Sequence, residues 1–177
     1  MMAQSRHGSS SRQGGRPRSG GFTLVELITA LAVLAVLVAL AVPNFNDATL
    51  SARLNAFANS LVAAAQVARS EAIKRNSTIT LCKSANGTSC AATGGWQQGW
   101  IVLNGATVLQ RQQALPTEFS ITGGPAGGLS FLPTVVGTTN ATITVCRSAP
   151  VGSEERVVTI SGTGSAYVSI TTTGTCS

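Results

Sequence analysis

The stretch Gly21-Phe22-Thr23-Leu24-Val25-Glu26-Leu27, continued by the uncharged residues 28–42, decides how this chain is organised. Between residues 22 and 42 the sequence is predominantly apolar and carries one carboxylate. A helix of this length, rising about 1.5 Å per residue, spans roughly 30 Å, which is enough to cross the hydrocarbon core of a bilayer. Glu26 does not fit an ordinary anchor, because an ionised carboxylate is costly in lipid. The segment is therefore predicted to be a transmembrane helix with an unusual acid near its start.

This run resembles the leader-cleavage and methylation site of type IV pilins and type II secretion pseudopilins. In that family a prepilin peptidase cuts after the glycine, here Gly21, and the new N-terminal residue, here Phe22, is methylated. The glutamate of the family motif, here Glu26, aids assembly into a filament, and Pro43 matches a helix-bending proline. The resemblance implies a subunit that is processed at the membrane and then joins a filament.

The spacing of two of these residues is consistent with that role. Glu26 follows Phe22 by four residues, so one helical turn separates its carboxylate from the new amino terminus. A positive amine from a neighbouring subunit could neutralise Glu26 inside an apolar filament core. Two other interpretations stay open. One is a plain signal anchor that tolerates a glutamate; the other is a cleaved secretory signal, which normally has a shorter apolar core and a small-x-small cleavage site.

Charge is distributed unevenly along the chain, whose formal net charge is +6. The residues before Gly21 include no acid and four arginines, and after Phe22 eight Lys/Arg face six Asp/Glu, which leaves +2. Basic residues beside an apolar helix favour the cytoplasmic side of the membrane. We therefore expect a cleaved basic leader (1–21), a transmembrane and assembly helix (22–43) and an exported pilin head (44–177). The expected location is the bacterial inner membrane, with a single pass and a periplasmic head, and later a pilus or pseudopilus.

Downstream of Pro43 the hydrophobic period is first that of a helix and then that of strands. Apolar residues recur every three or four positions up to about Arg75, at Leu50, Leu54, Phe57, Leu61, Ala64 or Ala65, Ala68 and Ala72. From Asn76 the period is two, and strands are expected at 78–83, 99–103, 107–112, 119–121, 129–132, 142–147, 155–160 and 166–171. The predicted fold class is α+β. A long N-terminal helix, transmembrane in its first half and amphipathic in its second, packs on antiparallel β-sheets.

Four cysteines downstream of the helix predict disulfides formed in an oxidising compartment. We favour Cys82–Cys90, which closes a short polar loop, and Cys146–Cys176, which ties down the C-terminal tail. The similar positions of Cys82 and Cys146 on their strands keep Cys82–Cys146 as a rival. No Cys-x-x-Cys pair occurs and the one histidine, His7, lies in the leader, so neither a metal site nor a cofactor is predicted.

The later sequence narrows the family. Residues 68–75 resemble the helix end of GspH/FimT-type minor pilins, and so do Leu81-Cys82-Lys83-Ser84, the segment 96–102 and the strands around Ser130 and Val145. This resemblance implies a minor pilin that helps to initiate or cap a type IV pilus. The implied partners are other minor and major pilins or pseudopilins, the prepilin peptidase and the inner membrane. A pseudopilin of type II secretion is the alternative.

Two further function classes compete with a structural role. Some members of this family are DNA receptors in natural transformation, and Lys83, Arg147 and Arg156, which we expect to be solvent-exposed, could contact phosphates or could be scattered solvated charges. The stretch 164–167, where DNA-binding members carry Gly-Arg-x-Arg, contains no arginine, so DNA is not an expected partner. An enzyme is not expected either, and no catalytic residue is assigned. No histidine follows the leader, and the adjacent Glu154 and Glu155 would point to opposite faces of a strand.

Overall fold

The computed structural model of the chain describes residues 21–134, 138–148, 152, 154–173 and 176, and the side chains at 41–44 lie outside this described part. The chain divides into two units, Met1–Pro43 and Asn44–Ser177, and the second is called the head below. Helix α1 (Leu24–Arg75) has residues in both units. Eight strands follow it within the described residues of the head, arranged in two antiparallel sheets. The predicted α+β fold is confirmed.

Asn76 ends α1 by taking a left-handed conformation, with φ of +48°. The backbone N–H of Ser77 donates to the carbonyl of Ala72, and the N–H of Asn76 donates to that of Ile73. This pair of bonds is the Schellman arrangement, which satisfies carbonyls that the last helical turn leaves unpaired. Asparagine tolerates the left-handed region better than most residues, so the helix ends where the sequence period changes from that of a helix to two.

The part of α1 in the head buries one face in the main core. Small and branched side chains share this face, at Leu54, Ala58, Leu61, Ala64, Ala65, Ala68 and Ala72. The stripe predicted from the sequence is confirmed, with the addition of Ala58. The alanines let the helix backbone approach the sheets closely. The ring of Phe57 meets that of Phe119 edge to face, with centroids 5.0 Å apart, an arrangement that aromatic pairs prefer.

The first sheet contains β1 (Ile79–Lys83), β2 (Trp100–Asn104), β3 (Thr107–Gln112) and β5 (Leu129–Phe131), in the order β3-β2-β1-β5. A short 3-10 helix, Trp96–Gln98, precedes β2. The turn between β2 and β3 contains Gly105 at φ +58°, a conformation that glycine takes without strain. This is the tight turn predicted at Asn104-Gly105. The strand β3 is an edge of this sheet.

The second sheet contains β4 (Phe119–Gly123), β6 (Ala141–Arg147), β7 (Glu155–Ile160) and β8 (Ala166–Thr171), in the order β4-β6-β7-β8. Apolar residues from both sheets join α1 in one buried cluster, among them Leu81, Trp100, Phe131, Ile143 and Val158. Two stretches of similar sequence, Thr-Ile-Thr-Leu-Cys-Lys-Ser at 78–84 and Thr-Ile-Thr-Val-Cys-Arg-Ser at 142–148, supply β1 and β6, which are both inner strands of their sheets. An inner strand is buried on its core face, so the repeated apolar pattern follows from position in a sheet.

Candidate assembly site

Thr23 caps the start of α1. Its Oγ1 accepts a hydrogen bond from the backbone N–H of Glu26 at 3.2 Å, directly before the first helical residue, Leu24. This satisfies one of the amides that a helix leaves unpaired at its N-terminus. Glu26 occupies the third helical position, where a negative charge is favoured by the helix dipole. The sequence analysis missed this role of Thr23, although Thr-x-x-Glu before an apolar run is the signature of a capping box.

The side chains that follow form an apolar surface that the first unit does not bury. Every large apolar side chain described from Phe22 to Leu40 is more than half exposed, and Phe22 is 85% exposed. One open groove along this surface begins at Glu26 and continues over Thr29, Ala30, Val33, Leu34 and Leu37. The segment is long and apolar enough to span a membrane, and none of it is buried within the protein. A surface of this size requires cover from lipid or from other proteins.

The nearest basic residues in the sequence are distant from Glu26: Arg18 precedes it by eight residues, and the first Lys or Arg after it is Arg53. No salt bridge or side-chain hydrogen bond to the carboxylate of Glu26 occurs in the described residues. A carboxylate that becomes covered by apolar groups is costly unless a positive partner accompanies it. The positive partner of Glu26 therefore has to come from outside this segment. The side chain of Pro43 lies outside the described residues, so its helix-bending role stays a prediction.

Both disulfides of the head pair the cysteines in the way favoured from the sequence. Cys82 on β1 is bonded to Cys90, with Cα atoms 5.5 Å apart, and Cys146 on β6 is bonded to Cys176, at 5.4 Å. The rival pair Cys82–Cys146 is not formed. The first bond folds the loop after β1 back onto its sheet, and the second holds the end of the chain against β6.

Glu155 binds the C-terminal tail through a buried carboxylate. Its Oε2 accepts hydrogen bonds from the hydroxyls of Thr171, at 3.1 Å, and Thr173, at 2.9 Å, and its Oε1 accepts one from the backbone N–H of Cys176 at 3.1 Å. Three donors compensate for the loss of hydration on burial. No role for Glu155 is predicted from the sequence. Its hydrogen-bond partners are 16 or more residues away, so no local sequence pattern marks them.

Comparisons with known proteins agree with this architecture. A family model described as "Type II transport protein GspH" matches residues 58–164, and one described as "Prokaryotic N-terminal methylation motif" matches residues 16–42. The first match covers more than half of the chain. The chain belongs to the GspH family. No match was found among curated protein sequences.

Solved structures of similar fold include two crystal forms of the type IV minor pilin FimU from Pseudomonas aeruginosa. They have 21% and 20% identity, TM-scores of 0.51 and 0.53, and cover 65% and 68% of this chain and 91% of theirs. The minor pseudopilin EpsH of the Vibrio cholerae type 2 secretion system is similar at 15% identity and a TM-score of 0.46, over 68% of this chain and 97% of its own.

Membership of the GspH family identifies the kind of protein. The chain is a pilin-like structural subunit of a type IV pilus or a type II secretion system, and it is not an enzyme. Subunits of this kind assemble with other pilins. The methylation motif and the exposed apolar helix agree with membrane anchoring followed by assembly.

The basic residues considered as DNA contacts of this GspH-family subunit are not free on its surface. Lys83 is buried and donates to the carbonyl of Gly94 at 2.8 Å. Arg156 is also buried, and its partners are Asn55 and Glu154. The side chain of Arg147 is largely covered and lies 3.1 Å from Asp47, its ion-pair partner. All three side chains were expected to be exposed to solvent, and that expectation is wrong.

These cations are covered because both faces of each sheet are occupied near them. The carbonyl that binds Lys83 belongs to Gly94, in the segment that follows Cys90. Asp47 and Asn55 reach Arg147 and Arg156 from α1. A strand that alternates in sequence is half-exposed only where nothing lies on its outer face. On the late strand β8, the exposed aromatic side chain is that of Tyr167.

The remaining side chains that could bind a small ligand or a metal ion are either packed in the core or far from one another. Trp96 and Trp100, at 3% and 1% exposure, pack in the main cluster rather than lining a cleft. Within the described part of the chain, no group of three or more His, Cys, Asp and Glu side chains is placed to hold a metal ion.

Proposed function

We propose that this protein is a minor pilin that helps to initiate or cap a type IV pilus. The observation that carries the proposal is the start of α1, where Thr23 caps the helix, Phe22 is exposed and Glu26 lies at the head of an apolar surface, with no cation paired to it among the described residues. The small, disulfide-linked head supports it as well. FimU, whose fold the chain shares, is described as a type IV minor pilin.

Processing and anchoring follow from the same segment in this proposal. A prepilin peptidase removes residues 1–21 by cutting after Gly21, and Phe22 becomes the methylated N-terminus. Gly21 has open space around it, as a cleavage site needs. Residues 22–43 then hold the subunit in the bacterial inner membrane as a single pass, and the head, 44–177, is periplasmic until assembly into the pilus.

Glu26 contributes to assembly by electrostatics. When the helix enters a filament core, the carboxylate loses its hydration and needs a positive charge. The amino terminus of a neighbouring Phe22 supplies that charge. An unpaired Glu26 carboxylate is costly in lipid, and pairing with this amine removes much of that cost. The pairing therefore favours the assembled state over the isolated subunit in the membrane.

Mass spectrometry of the membrane-extracted protein tests the processing step. We expect a chain that begins at Phe22 and carries one additional methyl group. An intact leader, or a start at another residue, would contradict the proposal and restore the signal-anchor interpretation.

Deletion and complementation in the host test the assembly role. We expect loss of the protein to reduce the number of pili, and wild type to restore it. Glu26→Ala should insert in the membrane normally but be depleted from sheared pili. Glu118→Ala, which removes an acid from the head, is the matched control and should be incorporated. Normal piliation with defective secretion would instead identify a type II secretion pseudopilin.

A further inference from the structure

We propose that a cleft beside Arg111 binds a carboxylate supplied by an acidic side chain of a neighbouring pilin-like subunit. The cleft lies in the head, between the loop that follows β1 and the end of β3, and its volume is about 260 Å³. Its lining includes Arg111, a serine and four amide side chains, and contains no Asp or Glu. The proposal rests on the assembly function above, and it adds a specific contact on the head.

The strand register and a disulfide together build this cleft. Arg111 pairs with Ile101, which pairs with Cys82, so these three side chains share one face of the first sheet. That face is opposite the main core, because Cys82 and Ile101 belong to a separate small cluster. The bond from Cys82 to Cys90 folds the intervening loop over the same face. The loop therefore forms one wall of the cleft, and the exposed side chain of Arg111 lies against that loop at Gly87.

Gly87 allows Arg111 to lie directly on that loop. Gly87 is buried and has a φ of +71°, and a Cβ atom there would come within 2.7 Å of Cδ and Nε of Arg111. Its backbone N–H donates to Oγ of Ser84 at 3.0 Å, and the side chain of Asn86 accepts from two further loop amides. The wall is thus fixed by hydrogen bonds and a disulfide before any ligand arrives, which lowers the entropic cost of binding.

Arg111 differs from most of the other cations in the described head. It forms no hydrogen bond or ion pair there, and among the Lys and Arg side chains it shares this state with Arg53 on α1. The others bind carboxylates or carbonyls: Arg69, Lys74, Arg75, Lys83, Arg147 and Arg156. Both side chains are exposed to solvent, but Arg53 lies on the surface of the helix, whereas Arg111 lines the cleft. A guanidinium held in a concave, acid-free site is available for an external anion.

The lining favours a carboxylate among anions. A guanidinium presents a planar fork of N–H donors that matches two carboxylate oxygens. Next to it, the side-chain amide of Gln113 makes no hydrogen bond to any described residue and offers a further donor. The cleft contains one cation, which balances the single negative charge of a carboxylate but not the charge of about −1.5 to −2 of a phosphate group.

The occupant is taken to be a protein because of where the cleft opens. It lies at the end of β3, an edge strand of its sheet, so an approaching surface is not blocked by a further strand among the described residues. Charge complementarity determines the chemistry of the contact, since the cleft is cationic and its lining holds no competing acid. A neighbouring subunit that presents Asp or Glu to this edge fits both conditions. Contacts between complementary charges contribute to the specificity and alignment of an interface more than to its affinity.

The first test is a titration of the processed full chain in detergent micelles with sodium acetate, at constant ionic strength. We expect saturable chemical-shift changes confined to the amides of the loop 84–90 and to Nε–H of Arg111. Arg111→Gln should abolish them, and Arg53→Gln, the matched control, should leave them unchanged. Shifts that are absent, scattered, or unaffected by Arg111→Gln would overturn the proposal. Binding of galacturonate more than tenfold tighter than that of acetate would also overturn it, in favour of an acidic sugar.

The second test measures how much protein enters sheared filaments in the host. Arg111→Gln is expected to lower the incorporated fraction about tenfold, which corresponds to about 1.4 kcal/mol, since the variant loses the charge and the fork of donors. Arg111→Lys keeps the charge without the fork and should be intermediate, and Arg53→Gln should be normal. Wild-type incorporation of Arg111→Gln would refute the contact. If wild type itself enters no filament, the proposed function fails, and the acetate titration still decides whether the cleft binds a carboxylate.

Discussion

Removal of the Cys146–Cys176 disulfide is expected to destabilise the head more than removal of Cys82–Cys90. The two bonds close loops of very different length, with sequence separations of 30 and 8 residues. In the chain-entropy model a cross-link restricts the unfolded chain by an amount that grows with the logarithm of the loop length. This gives about 3.6 kcal/mol for the longer loop and about 2.5 kcal/mol for the shorter one at 25 °C. The expected difference in the free energy of unfolding is therefore about 1 kcal/mol.

Two double variants isolate that difference, Cys146→Ala with Cys176→Ala and Cys82→Ala with Cys90→Ala. Cys82 and Cys146 are both fully buried, so the loss of packing on the strand side is similar in the two variants. Urea unfolding of the processed chain can be followed by tryptophan fluorescence, because both tryptophans lie in the head core. If the two double variants lose the same free energy of unfolding, the entropic argument fails, and strain or packing determines the contribution of each disulfide.

Further expected outcomes concern packing, pH and nucleic acid. Leu61→Ala should lower the free energy of unfolding by about 3 kcal/mol, because Leu61 is fully buried, and Ile73→Ala on the exposed side of α1 should change it by well under 1 kcal/mol. The pKa of Glu71 is held below its usual value by hydrogen bonds from Arg75 and then Lys74. The stability that Glu71 contributes is present above its unfolded pKa and is lost as the pH falls through its folded pKa. The urea midpoint of Glu71→Gln should therefore depend less on pH than that of the wild type below about pH 4.5. The processed chain should bind duplex DNA only weakly and non-specifically at physiological salt; a sub-micromolar mobility shift would contradict this.

The secondary structure was largely predictable because local signals agree with tertiary position. The predicted helix end at Arg75 coincides with the observed one, since Asn76 can take the left-handed conformation that stops a helix. The strand predictions differ from the observed strands by a residue or two at most places. The short 3-10 helix, Trp96–Gln98, was missed, because three residues carry no period of their own.

Burial of polar side chains was less predictable than the strands that carry them. The alternation of β1 predicted one face in the core and one in solvent, and Lys83 was treated as exposed on that basis. A two-residue alternation along a strand predicts which side chains face the core. It contains no information on whether a loop folds over the outer face. The same limit hid the tail-binding role of Glu155, whose partners are 16 or more residues away in sequence.

The groups that the chain leaves without a partner point towards assembly. The head satisfies most of its own charges: Glu155 binds the tail, and Arg147 and Arg156 are neutralised by acids of the same chain. Against that background, Glu26 on the apolar helix has no cation beside it among the described residues, and Arg111 in its cleft has no acid in the lining. Covering a charge is costly unless it is paired or fully hydrogen-bonded, so these two charges of opposite sign, on separate surfaces, depend on other molecules once they are covered. A neighbouring subunit would then bind stably only if it presented a cation to Glu26 on the helix and an acid to Arg111 on the head.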